Sequence, residues 1–301
     1  MDLRQIQYFL TVAEERNITR ASEKLHISQP PLSRAIMDLE DELDCSLMIR
    51  GKRHISLTQE GLALKRRGEQ LLTLTDMTKS EIASIKKGVS GTLYLGHVDA
   101  GGPNLAAEWL ESFSKKYPDV TYNLWSGTVD DLNDRMRSGL IDLAVTMTPV
   151  SSDLVESIPI YSEYWVAIIP SGHPLANAKK QTVTIPELAD DDLIISSRRS
   201  REEEVRGWFR NTDKEPHFVV KTAHSSNAAK LVERRMGIAL FPASVAKNIP
   251  AGTDVVIKKI LPEIKVDYLL SWDAKKPLSA LANKFIDHVR DMSLTQNKNP
   301  F

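Results

Sequence analysis

Three polar side chains stand close together early in the chain: Gln29, Ser33 and Arg34. Gln29 and Ser33 are four residues apart and share a face of any helix, with Arg34 bordering it. An arginine fork can donate two bonds to a guanine edge, a glutamine amide can pair with adenine, and a serine hydroxyl suits a phosphate or a base edge. Pro30 and Pro31, between them, can touch thymine methyls or sugars. The same residues would also suit an ordinary solvated helix face, so the surrounding elements have to decide.

Those elements are helix-patterned over residues 1 to 57. Leu3, Ile6, Phe9, Leu10 and Ala13 recur at helical spacing, as do Ile18, Ala21 and Leu25. Asn17 is placed to cap the second of these helices, and Ser28 or Gln29 the third. In the third helix Leu32, Ala35, Ile36, Leu39 and Leu43 form an apolar stripe that leaves Gln29, Ser33, Arg34 and Met37 outside it. The first N–H groups of a helix have no internal partner, so prolines there sacrifice little and keep the end stiff and slim. A helix, a short turn and a second helix with a donor-rich start is the helix-turn-helix pattern. After it, Gly51 marks a turn between short alternating runs, which predicts a hairpin, or wing, presenting Arg50 and Arg53 to phosphate or a minor groove. Residues 1–58 hold eight bases against nine acids, so affinity for bulk nucleic acid should be modest and a second copy would need to add contacts.

Thr58 to Lys87 reads as one long helix whose narrow stripe, Leu64, Leu71, Thr75, Thr78, Ile82 and Ile85, suits a two-helix seam. Gly88, Ser90 and Gly91 break it. From Thr92 onward strands alternate with helices, which predicts α/β layers with largely parallel sheets. About 200 residues of this pattern is generous for one sheet and favours two lobes with a cleft.

Composition narrows the classes further. At 42% hydrophobic and 26% charged the chain is globular rather than disordered, and a net charge of -1 gives no global basic field. The start, Met1-Asp2-Leu3-Arg4, has no apolar run, and no stretch approaches the about 20 apolar residues of a membrane span. A cytoplasmic chain without membrane attachment is expected. The lone Cys45 excludes an intramolecular disulfide and is read as a small buried hydrophobe rather than a redox switch. The seven histidines lack metal-ligand spacing, no catalytic set or dinucleotide fingerprint stands out, and no cofactor is expected. A cytosolic solute-binding protein with an unrelated helical N-terminus is the alternative class, and an α/β enzyme a third.

"NITRASEKLHISQPPLSRAIMDLEDELDCSLMIRGKRHISLTQEG" closely resembles the winged helix-turn-helix of LysR-type transcriptional regulators. The resemblance continues through "GTLYLG", "GLIDLAV", "SGHPLA" and "RRMGIALFP" and covers essentially the whole chain. It implies an α+β multidomain fold: a winged helix-turn-helix (1-58), a dimerising linker helix (59-88) and a two-lobed α/β effector domain similar to periplasmic binding proteins (89-301). Lobe I would comprise 92-161 and 267-301, and lobe II 162-266. It further implies double-stranded DNA, a small-molecule effector and a homodimer or homotetramer as partners. Pro31 stands where the family usually has alanine, and Val98 and Ala100 where it has hydroxyls.

Ligands of such folds bind at the carboxyl ends of strands, near helix N-termini. That rule selects Asp99, Ala100, Gly101, Ser126, Thr128, Thr146 and Thr148 on one side, and Arg199, Arg201 and Ser225 on the other. Helix starts and arginines, with Arg198 adjoining, favour an anionic group, so the effector is expected to be partly anionic, opposed by Asp99.

Overall fold

The computed structural model describes residues 1–51, 54–85, 89–150, 155–176 and 179–296. Contacts divide the chain into two units, Met1–Lys86 and Lys87–Phe301.

The first unit contains α1 (Leu3–Glu15), α2 (Ile18–Lys24), α3 (Gln29–Glu42), β1 (Met48–Arg50), β2 (Ile55–Leu57) and α4 (Gln59–Ile85). Its core is built from Phe9, Val12, Ala21, Leu32, Ile36, Leu39 and Leu47, each almost wholly buried. Burying side chains of the larger kinds contributes about 1.5–3 kcal/mol apiece. The expected stripes hold in their middles and fray at their ends, since Leu3 and Leu43 are exposed. Asn17 caps α2 by accepting from the Arg20 N–H at 3.1 Å. The turn after α2 is a Schellman closure, in which His26 takes a left-handed φ of 54° and the Ile27 N–H donates to the Ser22 carbonyl at 3.0 Å. Ser28 stands at the cap of α3 without a capping bond. A cap hydroxyl accepts from the second or third helical N–H. Pro30 and Pro31 occupy those positions and have none.

Two ties hold the hairpin to the helices. Glu40 accepts from the N–H groups of Leu47 (2.7 Å) and Met48 (3.2 Å), fastening β1 to α3. Ile55 donates to the Arg16 carbonyl at 3.0 Å. Thr58 starts α4, its hydroxyl accepting from the Gly61 N–H at 3.0 Å. A Cβ at Gly61 would lie 2.0 Å from the Leu47 carbonyl oxygen, so only glycine lets the helix start so close to β1. Leu64 packs on this unit's own core, whereas Leu62, Leu71 and Ile82 are exposed.

The second unit runs β3 (Gly91–His97), α5 (Gly102–Lys116), β4 (Val120–Ser126), α6 (Val129–Arg137), β5 (Leu143–Met147), β6 (Val155–Pro170), β7 (Thr182–Thr184), α7 (Ile185–Leu188), β8 (Asp192–Ser196), α8 (Arg199–Trp208), β9 (His217–Thr222), α9 (Ser226–Glu233), β10 (Ile238–Pro242), α10 (Ala243–Lys247), β11 (Val255–Leu261), β12 (Lys265–Asp273) and α11 (Ala280–Gln296). The strands follow the order β4-β3-β5-β12-β6-β10-β8-β9, with β11 between β6 and β7. Pairing of β3 with β4 and β5, and of β8 with β9 and β10, is parallel. The strands that cross between the lobes depart from the expected parallel pattern. β6 pairs antiparallel with β12 up to Tyr164, then antiparallel with β10 and β11 from Trp165 onward. One 16-residue strand thus serves both lobes.

The buried apolar residues form two clusters: the larger runs from Trp109, Phe113 and Phe285 of lobe I to Ile168, Ile194, Val232 and Phe241 of lobe II, and the other gathers Trp165, Leu193, Val205 and Leu240 within lobe II. Among the described residues no helix is long and apolar enough to cross a membrane, and no group of histidine, cysteine and carboxylate side chains is arranged to hold a metal ion.

Candidate functional site

Two places collect the side chains singled out above, one in each unit. In the first unit, Pro30, Pro31 and Arg34 are exposed at the start of α3 and Ser33 is half-buried. Arg34 lies away from the Leu32–Ile36–Leu39 stripe that anchors the helix. Gln29 is exposed but not free: its Nε2 donates to Thr19 Oγ1 at 3.0 Å. That bond ties α3 to α2 and orients the amide, leaving its oxygen and second N–H to act outward. Arg50 ends β1, with its side chain outside the described residues, and Arg53 lies outside them altogether.

In the second unit a cavity of about 70 Å³ opens between the lobes. Lobe I contributes Val98, Asp99, Ala100, Thr128 and Val129, and lobe II contributes Trp165, Ser196, Arg198, Arg201 and Ser225. Three side chains of lobe II bridge it. Ser225 Oγ donates to Asp99 Oδ2 at 3.1 Å. Arg201 Nη2 donates to the Thr148 carbonyl at 2.6 Å. Arg198 Nη2 lies 3.4 Å from the Pro149 carbonyl and 3.6 Å from Asp130 Oδ1.

Arg201 is buried, pairs with Glu204 and sits over the Trp165 ring. Burial lowers its pKa and raises that of Glu204, while their mutual attraction opposes both shifts. Two residues that line the cavity hold buried donors without a hydrogen bond, Arg198 Nε and Trp165 Nε1. An unpaired buried donor is costly. An acceptor-bearing ligand would relieve both.

Other expected residues are placed differently. Thr128 borders the cavity, but its hydroxyl caps α6, donating to Asp131 Oδ2 at 2.6 Å and accepting from the Asp131 N–H at 3.2 Å. Gly101 donates its N–H to Tyr268 Oη at 2.9 Å behind the cavity wall. Ser126 is exposed at the end of β4 and does not line the cavity. Thr146 is fully buried against Ser271 Oγ at 2.7 Å, and Thr148 Oγ1 accepts from the Asp267 N–H at 3.1 Å. Arg199 points to solvent, paired with Glu203.

Behind Gly101 lies a carboxylate that sequence inspection passed over. Glu163 is buried and accepts from the Ser244 N–H (2.7 Å), Ser244 Oγ (2.7 Å) and Tyr268 Oη (2.6 Å). Burial, with the Glu163 charge beside it, drives the Tyr268 phenol far above its ordinary pKa. Glu163 is on β6 and Tyr268 on β12, so this network joins both crossing strands to the loop that carries Asp99.

Residues 86–293 match the LysR substrate binding domain, and residues 3–62 match the bacterial regulatory helix-turn-helix protein, lysR family. This chain belongs to the LysR family of transcriptional regulators. Its relatives include the HTH-type transcriptional regulator BsdA of Bacillus subtilis (strain 168), 32% identical over 248 residues that cover 81% of this chain and 85% of BsdA. The Hca operon transcriptional activator HcaR of Escherichia coli (strain K12) is 29% identical over 276 residues, covering 90% and 92%. Among solved structures, full-length CbnR complexed with its target DNA superposes with a TM-score of 0.79 at 25% identity, covering 97% of this chain and 99% of that one.

Within this LysR-family regulator, Arg198 lines the cleft although the sequence placed it only beside the selected residues. Its spacing held a signal: Arg198 and Arg201 are three apart and share a face, while Arg199 is turned about 100° away. Trp165 gave no such signal, because an apolar run along a crossing strand reads as core.

Proposed function

We propose that this regulator reads a double-stranded operator with Gln29, Pro30, Pro31, Ser33 and Arg34, aided by Arg50 and Arg53 of the wing, under control of a small, partly anionic effector held between lobes I and II. It acts by binding, not catalysis, in the cytoplasm, as a homodimer or homotetramer. The working division is 1–58 for DNA, 59–88 for pairing of chains and 89–301 for the effector. The observation that carries the reading is α3: its apolar stripe is anchored in the core, its first turn is cleared by two prolines, and Arg34 is exposed beyond them. The exposed Leu71 and Ile82 on α4 support pairing through that helix. Buried donors without partners at Arg198 and Trp165 support a ligand that supplies acceptors. A gel-shift with the DNA upstream of the protein's own gene, against an unrelated fragment of equal length, tests the reading. A retarded complex that the unrelated fragment cannot compete away is expected. Equal competition would favour a solute-binding protein.

A further inference from the structure

The cleft is chemically two-sided. On lobe II, Arg198 Nε and Trp165 Nε1 are donors with no partner. The Arg198 side chain is 9% exposed and Trp165 1%, so water does not serve them freely. On lobe I, Asp99 faces the same space as an acceptor. Its Oδ2 takes the Ser225 hydroxyl at 3.1 Å, and His224 Nδ1 stands 4.0 Å away. Among the described residues nothing donates to its Oδ1. Much of the rest of the wall is apolar, including Val98, Val129, Met147 and Phe241.

We infer that Asp99 is the specificity-determining residue of the cleft: it selects a monoanionic ligand that carries a hydrogen-bond donor at the end remote from its anionic group, and it rejects dianions. The inference rests on the effector reading above. The ligand's anionic end would satisfy Arg198 and Trp165, and its apolar body would lie along the valine, methionine and phenylalanine surface. Its far end meets Asp99. A hydroxyl or ammonium there donates to Oδ1, the acceptor that Ser225 leaves unused. A methyl at that position leaves Asp99 Oδ1 without a donor in a space it has desolvated. A second carboxylate meets a like charge at short range, which is repulsive in partly buried surroundings. Arg201 cannot compensate for a second anion, because its guanidinium is already committed to Glu204 and the Thr148 carbonyl.

Matched carboxylates test this on the full-length protein by calorimetry and thermal shift. One series is butyrate, 4-hydroxybutyrate and succinate; the other is benzoate, 4-hydroxybenzoate and terephthalate. Within whichever series fits the cavity, the hydroxylated member should bind at least about tenfold more tightly than the other two, as expected where a site pairs with a substrate hydroxyl. Asp99→Ala should erase that preference. Asp99→Asn, which keeps the size and removes the charge, should admit the dianion. The circular dichroism spectrum and sedimentation of either variant should match the wild type, which shows that it is folded. Equal affinities within both series, tighter binding of a dianion by the wild type, or a preference that survives Asp99→Ala would each overturn the assignment. Binding by none of the six overturns it as well, while the gel-shift, which needs no ligand, still decides the regulator reading.

Discussion

His288 titrates against its surroundings. It packs edge-on to Phe113 at 5.3 Å between ring centroids, and its Nε2 is buried with no hydrogen bond. Burial, reinforced by Lys116, lowers its pKa. The folded protein therefore favours the neutral ring, whereas an unfolded histidine takes a proton near its ordinary value of about 6.5. Stability held by the neutral ring is complete above that value and is lost as pH falls below it. Denaturation of the wild type at pH 7 and 5.5 should show a steeper loss than in His288→Phe, and identical losses would contradict the placement. The legibility of single residues differed in a consistent way. The exposure of Arg34 followed from its position off an apolar stripe, since helical period alone decides which side of α3 is buried. The commitments of Gln29 to Thr19, of Thr146 to Ser271 and of Thr128 to Asp131 did not follow, because a polar residue at a strand end or helix start looks the same whether it serves a ligand or the fold.

At the level of elements, the approach of α4 to β1 depends on Gly61. With the Leu47 oxygen 2.0 Å from where a Cβ would stand, Gly61→Ala has to displace backbone, not a flexible side chain. Overpacking of this kind costs about 1–3 kcal/mol or more. Chemical denaturation should register that loss in the first unit, and an unchanged midpoint would mean the contact is slack. Farther along α4, Leu71 is 38% exposed and Ile82 58%. Leu71→Lys would place a charge in the proposed seam, so it should sediment as a smaller species than the wild type; an unaltered sedimentation coefficient would move pairing of chains off this face. The long helix was legible from its stripe, although Leu64 belongs to its own unit's core and the hydroxyls of Thr75 and Thr78 bond back to Leu71 and Leu74. The crossing strand β6 was less legible. The part paired with β12 carries Glu156, Ser157, Ser162 and Glu163, polar residues that do not mark a strand by themselves.

On the scale of the whole molecule, a ligand can act on DNA only by favouring one arrangement of the chain over another. A tenfold preference supplies about 1.4 kcal/mol per site, so two or four coupled copies respond more sharply than one. The lobes already touch through Asp99–Ser225, Arg201–Thr148 and Arg198–Asp130, and the Glu163–Tyr268 network backs the loop that bears Asp99. A ligand in the cavity would lie beside these contacts, and any it changed would give the lobes two states to distinguish. The most direct measurement of the reading is nuclease protection on the DNA upstream of the gene, run with wild type and Arg34→Ala side by side. Wild type should protect two half-sites spaced about 34 Å apart or a multiple of it. Arg34→Ala, folded and of unchanged sedimentation, should lose that pattern through a cost of about 1–3 kcal/mol per half-site. Protection that is the same in both proteins, or that follows no sequence in either, would contradict a regulator that reads DNA through α3.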